Sequence, residues 1–151
     1  MSRVRVICLG NAHASDDGAA LQLAGALAGC EVRCAGRPGA GLLDLLEGGA
    51  PVVLVDATQS GAPPGTIHTL ELAALADAAL AGPNVSSHGF GPAQALVLGQ
   101  ALGRPLPRGI FVGVEGEQFT PGEALSPAVA AAMPALTRAV QAAIEALTAD
   151  A

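Results

Sequence analysis

Two carboxylates and an imidazole recur in this chain where strand-like runs give way to loops. Asp16-Asp17 follows the strand-like run Val4-Arg5-Val6-Ile7-Cys8-Leu9, Asp56 ends Val52-Val53-Leu54-Val55, and His88 sits in Ser86-Ser87-His88-Gly89. In an open α/β sheet, ligands bind at the carboxyl ends of the strands. Carboxylate and imidazole groups meeting at such an edge form a site for a borderline divalent metal. Each residue also has a plain structural explanation. Aspartate at a helix start caps free N–H groups and complements the helix dipole. Asp56 could pair with a neighbour or cap a turn, and a loop histidine could simply be solvated. With two adjacent aspartates, one can cap while the other faces the crevice.

Other chemistries find little support. The loop Gly10-Asn11-Ala12-His13-Ala14-Ser15-Asp16-Asp17-Gly18 lies where a dinucleotide fold would place its phosphate loop. It lacks the G-x-G-x-x-G pattern, and its carboxylates would repel a phosphate. There is no G-x-S-x-G elbow and no H-E-x-x-H zinc helix. His13 lies in the crevice loop, where it could touch a ligand. His68 alternates along an edge-strand pattern and is expected to be exposed.

The elements that must position these residues follow an alternating pattern. Strands are predicted at residues 4–9, 31–34, 52–55, 66–70 and 109–114. Helices are predicted at 17–29, 41–47, 73–80, 92–102 and 128–147. Val52 to Val55 is a continuous apolar run, which suits a central strand covered on both faces. Ser126-Pro127 reads as the N-cap and first position of the terminal helix. Pro134 within that helix predicts a kink or break. Strands alternating with helices at this spacing imply an α/β fold: a three-layer sandwich with an about five-stranded, mostly parallel sheet and helices on both faces.

At 151 residues, 51% of them hydrophobic, the chain is expected to form one domain spanning 1–151 with a substantial core. With three Phe and no Trp or Tyr, that core must be packed from small and branched aliphatics. The net charge of −6, with no basic cluster, argues against a nucleic-acid partner. The longest apolar stretches are broken by Gly, Pro, Asp or Gln, so no membrane span is expected. Val4 to Leu9 reads as a first strand and not as the apolar region of a secretory signal. Cys8, Cys30 and Cys34 are an odd set without a Cys-x-x-Cys pair, which suits a reducing cytoplasm. Cys8 is expected to be a small core residue. The chain is expected to be a monomer, because the near-absence of aromatics leaves no anchor for a strong permanent interface.

Taken together, these segments resemble the hydrogenase maturation proteases, the endopeptidases that trim the large subunit of nickel–iron hydrogenases. Gly10, Asn11, Asp16, Asp17 and Gly18 are similar to the family's first signature, G-N-x4-D-D-G. Val53-Leu54-Val55-Asp56-Ala57, with Ser60-Gly61 and Pro64-Gly65-Thr66, resembles the second, and Ser87-His88-Gly89 the third. Gly113-Val114-Glu115 and Leu125-Ser126-Pro127-Ala128-Val129 resemble pieces near the family's C-terminus. Cys8 and Ala20 stand where the family usually has glycine, which is expected to affect the strand-to-loop turn and the packing of the first helix.

The resemblance implies a metal-reading triad of Asp17, Asp56 and His88. It implies an aspartic-type endopeptidase, with Asp17 and Asp56 as the catalytic candidates. The partner it implies is a hydrogenase large-subunit precursor, whose C-terminal extension is removed after nickel insertion. Nickel in the substrate would be the recognition signal. A carboxylate acting as base and a metal-polarised carbonyl are both compatible with that triad. A non-cleaving nickel-dependent chaperone of the same fold, and a same-fold protease with another protein substrate, are the competing readings.

Overall fold

The computed structural model describes residues 3–81, 91–122 and 124–149. Among the described residues, five strands form one sheet in the order β2-β1-β3-β5-β4. They are β1 (Arg5–Leu9), β2 (Glu31–Gly36), β3 (Val52–Thr58), β4 (Ile67–Glu71) and β5 (Gly109–Glu115). All neighbouring pairs are parallel except β4 with β5, which places the single antiparallel strand at an edge. Among the described residues, the α-helices that accompany them are α1 (Ala19–Leu23), α2 (Leu42–Leu45), α3 (Leu72–Ala81), α4 (Pro92–Ala101) and α5 (Pro127–Ala149).

Side-chain alternation along the strands divides the core into two layers. Val6, Cys8, Val53, Val55, Val112 and Val114 face one side, against Ala19, Ala20 and Leu23 of α1 and Val129, Leu136, Val140 and Ile144 of α5. Ile7, Leu9, Val52, Leu54 and Phe111 face the other, against Leu42 and Leu43 of α2, Leu72 of α3 and Leu96 of α4. A strand buried on both faces must be apolar at successive positions, which is why Val52 to Val55 reads as an unbroken run. This is the predicted α/β three-layer sandwich with a mostly parallel sheet.

Several boundaries differ from the sequence-based expectation. The predicted helix at 17–29 is a composite: a 3-10 turn at Ser15–Gly18, the short α1, and a second 3-10 turn at Ala24–Ala26. Gly25, a poor helix former, sits in its last turn, Ala24-Gly25-Ala26, which tightens instead of propagating. β2 and β3 run longer than predicted, so Asp56 lies inside β3 rather than at its end. The partner strand β5 supplies the pairing, with Asp56 opposite Gly113 and Thr58 opposite Glu115. α5 runs unbroken through Pro134. Its buried row of Val129, Leu136, Val140, Ile144 and Leu147 sits on the sheet and outweighs one missing hydrogen bond. Ala20 is fully buried against this layer. Cys8 does not make the strand-to-loop turn, which falls at Gly10 with φ of +136°. Burial, and then the neighbouring Cys34, push the Cys8 thiol up to about 12, so it is an inert core residue as expected. Among the described residues, no helix is long and apolar enough to cross a membrane.

Candidate functional site

The chain leaves β1, crosses to β2 on one side, then returns over β1 to form β3 on the other. This reversal is a topological switch point at the carboxyl ends of β1 and β3, the place where open α/β sheets form their ligand-binding crevice. Asp17 follows β1 and Asp56 belongs to β3, so both reach this crevice. They are 2% and 3% exposed, respectively.

The two adjacent aspartates are divided between different tasks. Ser15 turns the chain with φ of +51°, a costly conformation for a residue other than glycine. It is fixed by its hydroxyl donating to the Ala124 carbonyl at 2.6 Å and its N–H to the Gly122 carbonyl at 2.7 Å. Asp16 then points into the 116–126 segment. Its Oδ2 accepts from the N–H groups of Glu117 and Gln118 and from the Ser126 hydroxyl, each at 2.8 Å, and its Oδ1 accepts from the Ser126 N–H at 2.7 Å. Burial opposes ionisation of Asp16, but these four donors outweigh it and hold the carboxyl below its ordinary range. Ser126, expected as the N-cap of α5, thus sends its hydroxyl hydrogen to Asp16. Asp16 is a structural latch across more than a hundred residues of sequence, and Asp17 is left to face the crevice.

Asp17 Oδ2 accepts from the Asn11 N–H at 2.9 Å, and Asp56 Oδ1 from the Ala57 N–H at 2.8 Å. Between the two carboxylates lies Arg37. Its Nε donates to Asp17 Oδ2 at 3.2 Å, and one terminal nitrogen donates to Asp17 Oδ1. That same nitrogen donates to Asp56 Oδ1 at 3.0 Å, and the other to Asp56 Oδ2 at 2.9 Å. Burial raises the Asp56 pKa, Arg37 lowers it only in part, and the nearby charge of Asp17 adds to the rise. Burial alone would weaken the Arg37 charge, but Asp56 and Asp17 more than offset that, and its pKa is raised. Arg37 enters the crevice from the end of β2, through the turn Gly36-Arg37-Pro38-Gly39. Gly36 adopts φ of +61° there, and its carbonyl accepts the Gly10 N–H at 2.9 Å. That bond sets the β2 turn beside the Asp17 loop.

A second buried carboxylate network adjoins the crevice. Glu115, at the end of β5, accepts from the hydroxyls of Thr58 and Ser60 at 2.8 and 2.7 Å, and from the Ser60 N–H at 2.8 Å. His68 Nε2 lies 3.1 Å from Glu115 Oε1. Burial alone would raise the Glu115 pKa, but the Ser60, Thr58 and His68 contacts bring it below its ordinary value. His68 is therefore a half-buried partner of Glu115, not the exposed residue its strand pattern suggested.

Of the triad predicted from sequence, the structure brings Asp17 and Asp56 together on one cation, while His88 lies outside the described residues. Among the described residues, no cluster of three His, Cys, Asp or Glu side chains could hold a metal ion. The two carboxylates are nevertheless hard oxygen donors of the kind a divalent cation takes, and a cation already joins them. His13 belongs to the crevice loop, with its N–H donating to Asn11 Oδ1 at 2.9 Å. Sequence reasoning missed Arg37 and Glu115 as site residues. Both stand at carboxyl ends of parallel strands, the criterion that had singled out Asp17 and Asp56.

A family profile described as hydrogenase maturation protease matches residues 21–146. No curated protein matches the chain by sequence. Among solved structures, the chain is similar to the hydrogenase maturating endopeptidase HybD from Escherichia coli, with 25% identity, a TM-score of 0.78, and 95% of this chain and 92% of that one covered. It is similar to the [NiFe] hydrogenase maturation protease HybD from Thermococcus kodakarensis, with 26% identity, a TM-score of 0.74, and 93% and 97% covered. An Escherichia coli endopeptidase in solution shares the fold at 24% identity, with a TM-score of 0.80 and 94% and 91% covered.

Proposed function

The chain belongs to the hydrogenase maturation protease family, and on that premise we propose that it removes the C-terminal extension of a nickel–iron hydrogenase large-subunit precursor after nickel insertion. The observation that supports this most is the convergence of Asp17 and Asp56, both buried, on a single cation at the topological switch point. On this reading nickel is part of the substrate. Asp17 and His88 contact it as it arrives, and the precursor's scissile bond comes to lie against Asp56.

Asp56 takes the proton of the attacking water in this mechanism, which makes the enzyme an aspartic-type peptidase. A carboxylate whose pKa is raised by burial is a better base than a solvated one, and its efficiency grows as that pKa approaches the working pH. Asp17, fixed by the Asn11 N–H, holds the metal's position. The enzyme works as a monomer in the cytoplasm, where the precursor is assembled. Asp56→Asn keeps the side chain's shape but cannot accept a proton, and should lower the cleavage rate of a nickel-loaded precursor by about a hundred-fold or more. Cleavage by that variant at the wild-type rate would remove Asp56 from the mechanism.

A further inference from the structure

Arg37 has a position that a merely structural arginine would not need. All four oxygens of Asp17 and Asp56 accept a hydrogen bond from its guanidinium. Such planar, two-sided engagement is the geometry in which arginine pairs most strongly with carboxylates. The two aspartates carry two negative charges and Arg37 one positive, so the closed cluster has a net charge of −1. A divalent ion that approached it would meet no carboxylate oxygen without a donor already on it, and would lie beside a like charge in a poorly hydrated crevice.

Removing the arginine altogether would leave two buried carboxylates without compensation. The group that replaces it must therefore bring its own positive charge as it displaces the guanidinium. The exit is open: the Arg37 side chain is 28% exposed while the aspartates are nearly sealed. Its backbone lies between Gly36 and Pro38, at the end of an edge strand.

We propose that Arg37 is the resident counter-ion of the crevice: it closes the Asp17–Asp56 pair against free divalent cations and withdraws when a metal held in the substrate arrives. Arg37 is thereby a specificity-determining residue. A free ion must displace the guanidinium with its own binding energy alone. A metal carried by a docked protein is delivered with the energy of the whole interface and at a high effective concentration. The identity of the delivered metal rests on the proposed function, whereas the closure by Arg37 rests on the geometry alone.

The test uses no precursor, so its outcome is separate from that of the protease reading. Cadmium chloride is titrated calorimetrically into the wild-type protein, Arg37→Met, Arg37→Lys and the double variant Arg37→Met/Asp56→Asn, with far-UV circular dichroism as the check on folding. Arg37→Met keeps the stem and removes the cation, and should bind cadmium at least about ten-fold more tightly than wild type. Arg37→Lys retains a charge but not the fork that spans both carboxylates, and should show a smaller gain. The double variant should lose the gain. Equal cadmium affinity in wild type and the single variants, or a gain that survives Asp56→Asn, would overturn the proposal. If Arg37→Met does not fold, the same decision rests on Arg37→Lys against wild type. A precursor left uncut by the wild-type enzyme would instead count against the protease reading and leave the cadmium result standing.

Discussion

Replacing Asp16 by Asn should cost more stability than replacing either crevice-facing aspartate, although the two side chains are nearly the same size. Asp16 is fully buried and accepts four hydrogen bonds through two oxygens. Asparagine has one carbonyl oxygen. Its best placement puts that oxygen where Oδ2 receives Glu117, Gln118 and the Ser126 hydroxyl, and turns its NH₂ towards the Ser126 N–H. Three charge-assisted bonds then become neutral ones, at a loss of about 1 kcal/mol each, and one buried N–H is left facing a donor, at about 1–3 kcal/mol. Asparagine is cheaper to bury than a carboxylate, which offsets part of that sum. The expected net loss is about 3 kcal/mol, or roughly 6–12 °C in Tm for a domain of this size.

The same substitution has a pH signature. The Asp16 carboxyl is held below its ordinary value of 3.8 in the folded state, so the folded protein releases that proton more readily than the unfolded chain. The stability it contributes is fully present above that ordinary value and is lost as pH falls through the lower folded value. The asparagine of the variant has no such proton. The gap between wild type and Asp16→Asn should be full at about pH 7 and narrow below about pH 4. Urea denaturation at several pH values measures it. A variant within about 0.5 kcal/mol of wild type at neutral pH, or a gap that does not narrow in acid, would refute the latch.

Three further outcomes follow from the geometry. Gly10→Ala would drive a Cβ into the Asp17 carbonyl oxygen at a backbone φ of +136°, so it should displace the Asp17 loop and abolish cleavage, with a fall in melting temperature measured alongside. Glu115→Gln should cost about 2 kcal/mol by weakening the charge-assisted contacts to Thr58, Ser60 and His68, and hydrogen exchange at the Ser60 and Gly61 amides should quicken; unchanged exchange there would contradict the role given to Glu115. The raised Asp56 pKa implies the opposite linkage to Asp16: folding favours its protonated form, so that aspartate makes stability decline as pH rises above 3.8 towards its folded value. Asp56→Asn should therefore flatten this part of the stability profile, as urea denaturation across the same pH range would show.

The centre of the sheet was legible because β1, β3 and β5 are buried on both faces. Val52 to Val55 and Val4 to Leu9 had to be largely apolar at successive positions, and the helices between them carry the complementary leucines and alanines. Asp56 was legible for the same reason, as a carboxylate next to such a run, and Asp17 as a carboxylate at a helix start in the loop that follows one. The assignment of Asp16 and Asp17 to different tasks was foreseen only in outline. The donors of Asp16 come from Glu117, Gln118 and Ser126, over a hundred positions away, and no local pattern announces them. Arg37 was hidden for a related reason. One arginine in a Gly-Arg-Pro-Gly turn looks like a solvated loop residue until the Gly10–Gly36 hydrogen bond brings it beside Asp17. The continuation of β3 past Asp56 depends on pairing with β5, which is likewise a non-local fact.

On the proposed function, this chain cuts a hydrogenase large-subunit precursor only when that precursor carries nickel. The most direct test incubates the purified protein with matched precursor in nickel-loaded and nickel-free forms and follows the C-terminal extension by mass spectrometry. The expected result is release of the extension from the loaded form alone, lost in Asp17→Ala and in His88→Ala. Equal cleavage of both forms would contradict nickel recognition, and binding of the loaded form without release of the extension would contradict the protease activity itself.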